Sequence, residues 1–78
     1  VYPNPAARNI NGTFYLPLAQ QVKLAIISST GKVELNKSVN AVSGLNHFSF
    51  DVSTLAIGTY VVQIATPTSN QQLKFIKN

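Results

Sequence analysis

Five separate runs of this chain place an apolar residue at every second position, the spacing that puts alternate side chains on one face of a half-buried strand. Val22, Leu24 and Ile26 form one set, Val33 and Leu35 a second, and Phe48, Phe50 and Val52 a third. Tyr60, Val62 and Ile64 make a fourth and Leu73 and Phe75 a fifth, with Lys74 and Lys77 as charged punctuation near the end. A first strand is expected from about Arg8 to Leu16, and no helix of useful length fits anywhere. Turn formers fall between the runs, at Thr30-Gly31-Lys32, Ser43-Gly44, Ser53 to Gly58 and Pro67 to Asn70, at the short spacing of a sandwich or barrel. The chain therefore reads as all-β, an antiparallel sandwich. The stretch Lys37 to Val42 either extends the Val33 strand or turns at Asn36 into a short extra one, so the count is six or seven. Asn11-Gly12 resembles a hairpin turn, but Pro5 leaves too few residues for a strand arm before it, and a bulge at Gly12 is expected instead.

With 78 residues the chain has room for one core, since a domain of this size buries only roughly 60% of its unfolded surface. One module spanning residues 1–78 is expected, with 1–7 as its lead-in. The longest apolar stretch, Phe14 to Ala19, is interrupted by Pro17 and is far short of the ~20 residues of a membrane-spanning helix. The chain opens with no charged segment followed by an apolar one, and its abrupt start at Val1 is that expected of a chain cut from a longer precursor, with any export signal upstream.

Charged residues make up 10% of the chain, and Asn, Gln, Ser and Thr together a third, so the surface is polar but mostly neutral. The net charge of +4 comes from Arg8, Lys23, Lys32, Lys37, Lys74 and Lys77. These are spread out rather than interleaved with aromatics, as a nucleic-acid groove requires, and no nucleic acid is expected as a partner. The absence of cysteine excludes a disulfide, a thiolate metal site and a cysteine nucleophile. Glu34 and Asp51 are the only carboxylate side chains, and acid–base hydrolysis needs a nearby pair or a metal. His47 and Asp51, four apart on one strand, lie about 13 Å from each other, too far for a direct hydrogen bond. A catalytic site, a metal and a cofactor are accordingly not expected. Two glycosylation-type sequons, at Asn11 and Asn36, carry little weight in a chain this rich in Asn, Ser and Thr.

The stretch Asp51 to Tyr60 is the most informative for structure. Asp51 can accept N–H bonds from the residues just after it and end the Phe48 strand, and Leu55 can plug the end of the sandwich. Gly58 offers a positive φ for re-entry, while Tyr60 puts its ring in the core and its hydroxyl on nearby backbone, much like a tyrosine corner. At the other end, the two prolines of Val1-Tyr2-Pro3-Asn4-Pro5-Ala6 fix an extended lead-in that cannot donate fully to a ladder.

The order of these landmarks resembles a known family, the C-terminal sorting domain of the type IX, or Por, secretion system of Bacteroidota. Tyr2, Pro3, Asn4 and Pro5 match its opening, and Val22 to Ile27 with Gly31-Lys32 match its apolar strand and glycine turn. Gly44 and Asn46 match its Gly-x-Asn entry. Asp51, Ser53, Leu55, Gly58 and Tyr60 match its Asp-x-Ser-x-Leu-x-x-Gly-x-Tyr signature, and Leu73 to Lys77 its short lysine-containing last strand. One departure is Ser28, where members often carry Asp three residues before the turn glycine. Ser can make the same turn bond.

The resemblance implies a seven-stranded immunoglobulin-like sandwich, not an enzyme, that directs an N-terminal passenger through the outer membrane. Its implied partners are the outer-membrane translocon and a sortase-like processing machinery, and its implied destination is secretion or the cell surface by way of the periplasm. Leu73, Lys74, Phe75, Ile76 and Lys77 are the expected recognition strand, read by strand addition if they lie at a sheet edge, with Lys74 and Lys77 as exposed charges. The alternative reading is a fibronectin III-like binding or adhesion module attached to a secreted enzyme.

Overall fold

The structure, a computed structural model, describes Tyr2 and residues 6–78. Six strands follow one another: β1 (Asn9–Leu16), β2 (Gln20–Ser28), β3 (Val33–Ala41), β4 (Gly44–Asp51), β5 (Gly58–Ala65) and β6 (Asn70–Lys77). They form two sheets, one of β1 and β4 and one in the order β3-β2-β5-β6, and every pairing of these strands is antiparallel. Tight hairpins keep β2–β3 and β5–β6 in one sheet, while the other three connections cross to the opposite sheet. The result is the expected all-β sandwich, with six strands.

The alternating residues face a single interior. Leu24, Ile26, Phe48, Phe50, Tyr60, Val62 and Ile64 are all buried, and Ile10, Phe14, Leu16, Val22, Val52, Leu55 and Phe75 join them in one cluster. Each sheet contributes aromatic rings: on one, Phe14, Phe48 and Phe50 form a chain with centroids 6.4 and 6.3 Å apart, and on the other Tyr60 stacks on Phe75 at 5.6 Å. Such pairs add about 0.5–1.5 kcal/mol each beyond the area they bury.

One local expectation is corrected, and of the two readings left open after Asn36 the extension of the Val33 strand holds. No bulge occurs at Gly12, because the β1–β4 register runs unbroken from Asn9 opposite Asp51 to Leu16 opposite Gly44. The glycine serves a different purpose: a Cβ there would lie 2.3 Å from Cζ of Phe48, its direct cross-strand partner. The irregularity lies instead in the β2–β3 hairpin, where Ile26 faces Leu35 but Ile27 faces Val33. The ambiguous stretch after Asn36 neither turns nor forms a new strand, for β3 continues through it to Ala41 and pairs with β2 along its length.

Side-chain hydrogen bonds to backbone stabilise the turns, both between the sheets and within one. After Ala41 the chain passes to Gly44, whose φ of 96° is a conformation side-chain-bearing residues rarely adopt. Asn46 braces this turn: its Oδ1 accepts the Val42 N–H at 3.0 Å and its Nδ2 donates to the Val42 and Gly44 carbonyls at 2.9 and 3.2 Å. In the β2–β3 turn, Ser28 Oγ accepts the Lys32 N–H at 3.2 Å, so serine supplies the bond expected of an aspartate.

Candidate recognition strand

β6 lies at one edge of the four-stranded sheet, paired on its inner side with β5 from Gly58 opposite Lys77 to Ala65 opposite Asn70. Its five candidate residues divide between two faces. Phe75 is fully buried against Tyr60, and Leu73 is half-buried on the same inner face. Lys74, opposite Val61, and Ile76, opposite Thr59, have their side chains on the outer face and are exposed.

Lys77 departs from the sequence expectation. It shares the inward phase of Phe75 and is 6% exposed, its Nζ donating to the Asn78 carbonyl at 3.0 Å. Strand alternation explains this, since a residue two beyond a buried Phe faces the same way, and a lysine tolerates the position by burying its stem and extending its amine to the rim. The exposed charge expected of this strand is therefore at Lys74 alone.

The backbone of β6 has an outer side as well as an inner one, and part of it is covered. The Ala6 N–H donates to the Ile76 carbonyl at 2.7 Å, and the Asn78 N–H donates to the Ala6 carbonyl at 2.8 Å, a bridge in which Ala6 runs parallel to β6. Ala6 is fully buried. Because alternate residues direct their N–H and C=O to the same side, Gln72 and Lys74 share this outer side with Ile76. Among the described residues, no strand pairs with β6 there at Gln72 or Lys74. Sequence reasoning missed Ala6, whose only signal is a small apolar residue directly after Pro5.

Tyr2 is held on the other sheet, exchanging two backbone bonds with Asn11 of β1 at 2.8 and 2.7 Å. The expected extended geometry of Pro3, Asn4 and Pro5 falls outside the described residues, as does Val1. The opposite flank of the sandwich is closed by Lys37 of β3. It lies in the inward phase opposite Leu24, donates through Nζ to the Ser49 carbonyl of β4, and sits 4.4 Å from the centre of the Phe50 ring. Both edge strands of the larger sheet thus carry an inward-facing lysine, a recognised obstacle to indiscriminate edge pairing.

The Asp51 to Tyr60 stretch adopts the geometry its residues predict. Asp51 Oδ1 accepts both the Ser53 N–H at 3.0 Å and the Ser53 hydroxyl at 2.7 Å, which together hold the exposed carboxyl below its ordinary value. Leu55 is buried, and its N–H donates to the Val52 carbonyl at 3.0 Å. Gly58 has a φ of 158°, and the Tyr60 hydroxyl donates to the Ala56 carbonyl at 2.6 Å. This corner precedes β5, the strand on which β6 lies. Gly31 has a φ of 89° in the β2–β3 turn.

His47 and Asp51 are both exposed on β4, and Glu34 pairs with Lys32 at 3.6 Å. No group of three or more His, Asp or Glu residues gathers among the described residues. Among the described residues, no helix is long and apolar enough to cross a membrane.

A family model described as the secretion system C-terminal sorting domain matches residues 1–78. Comparison with curated proteins and with solved structures returned no match.

Proposed function

Because this chain belongs to the family of type IX secretion C-terminal sorting domains, we propose that residues 1–78 act as one folded export address, with 1–7 as lead-in and β6 as the strand the machinery reads. As a member of that family the domain is a secretion signal rather than a catalyst, its partner is the type IX machinery, and its protein is destined for secretion or the cell surface. The family match leaves the fibronectin III-like alternative without support.

The finer reading is that an N-terminal passenger is carried through the periplasm and handed to the outer-membrane translocon, with a sortase-like protease processing it afterwards. The observation that supports β6 as the contact is its place at a sheet edge, with Lys74 and Ile76 outward and Gln72 and Lys74 directing backbone groups away from β5. Leu73, Phe75 and Lys77 contribute by holding that strand on the core rather than by presenting side chains.

Fusion of residues 1–78, with a native upstream linker, to a periplasm-targeted reporter tests the proposal in a host with type IX machinery. Export of the reporter is expected, and its loss on Lys74→Gln at unchanged melting temperature identifies the outer face of β6 as read. Retention of the intact fusion overturns the export reading. Normal export of the Lys74→Gln fusion overturns the reading of this charge.

A further inference from the structure

We infer that a partner adds an extended strand along the outer edge of β6 in the place Ala6 occupies, so that the first residues of the domain and the partner compete for the same backbone groups. This rests on the reading of β6 as the contact strand. Among the described residues, the outer groups of Gln72 and Lys74 have no strand beside them, and they span only one step of a ladder, too short for a register to be fixed. Toward the C-terminus the ladder runs on through Ile76 to the Asn78 N–H, and the Ile76 carbonyl and the Asn78 N–H are both bonded to Ala6.

Ala6 also shows what the edge accepts. Its bridge with Lys77 is parallel, so a strand that replaces it runs in the same direction as β6. Its side chain is fully enclosed, so the entering strand carries Gly, Ala or Ser at that point. A residue on its opposite face lies toward the side of Lys74 and Ile76, where an acidic or amide side chain beside Lys74 completes the fit. The partner is thus an extended segment with a small residue inward and an acceptor outward. Ala6 itself is replaceable because its fastening is two backbone bonds and one methyl group.

The chain has no cysteine, so Ala6→Cys with Lys77→Cys permits one disulfide, between bridge partners whose side chains are both buried. Carried by the exported fusion, the oxidised pair is expected to abolish export, and reduction of the same pair is expected to restore it. Export of the locked form overturns the competition and leaves the sorting reading intact, whereas retention of the unsubstituted fusion removes the sorting reading itself.

Where Lys77→Cys alone prevents export, amide exchange in the unsubstituted chain decides. The Ala6 and Asn78 amides are expected to exchange roughly 100-fold faster than the β5 amide of Val62, reporting release of Ala6 without global unfolding. Exchange of all three at one common rate overturns the inference.

Discussion

The ring of Phe48 fills the space above Gly12, its cross-strand neighbour, so closely that a Cβ at Gly12 would stand 2.3 Å from Cζ and 2.5 Å from Cε2. An aromatic laid over a strand glycine covers backbone the glycine leaves bare. Gly12→Ala is expected to cost about 1–3 kcal/mol, because the ring must leave its place between Phe14 and Phe50. Chemical denaturation measures this, and an unchanged midpoint contradicts it.

The Tyr60 hydroxyl is the one polar group of the buried Tyr60–Phe75 stack, and its bond to the Ala56 carbonyl spans the turn into β5. Tyr60→Phe keeps the ring and removes that bond, with an expected loss of about 0.5–1.5 kcal/mol in a thermal or urea melt.

Asp51 has a folded pKa held below 3.8 by the two bonds from Ser53. A depressed carboxyl pKa stabilises the fold above the unfolded value and loses that contribution as pH falls through the folded value. As pH falls below about 4, the ordinary carboxylate value, the melting temperature should therefore decline, and Asp51→Asn should flatten this decline. A pH series of melts on both proteins checks the difference.

The lysines of β6 should behave differently from each other. Lys74→Gln is expected to change stability by less than about 0.5 kcal/mol, as exposed substitutions do. Lys77→Ala should cost about 1–2 kcal/mol, since it strips a buried stem from the base of the core. Equal effects in the two melts would contradict the burial difference.

Lys37 points inward from an edge strand, beside the Ser49 carbonyl and over Phe50. Lys37→Val removes the charge that keeps this flank from pairing with other chains, so folding is preserved but self-association is expected. Light scattering against concentration tests it.

The period-two runs made the sandwich and its core legible, because a strand with one buried face writes its phase into the sequence. The Asp51 to Tyr60 corner was legible for another reason: each side-chain hydrogen bond there spans four residues or fewer. Gly12, Lys77 and Lys37 were not. The purpose of Gly12 depends on Phe48, 36 positions away, and a bulge was a reasonable local guess for a relationship only the register reveals. Lys77 was expected outward and lies inward, and the inward phase of Lys37 was not foreseen, since the course of the chain after Asn36 was open; the edge location lets both amines reach the rim. Ala6 escaped notice because nothing local marks a residue whose partner strand lies at the opposite end of the chain.

The parallel direction of the Ala6 bridge has a mechanical consequence. A pull on chain ahead of Val1, with the C-terminal end of β6 held fast, first loads the two bonds of Tyr2 to Asn11 and, once these part, drags Ala6 and β6 past each other along their length. Both hydrogen bonds of the bridge then stretch together instead of opening in turn, so this small contact resists tension in shear, the direction in which strand pairs are hardest to separate.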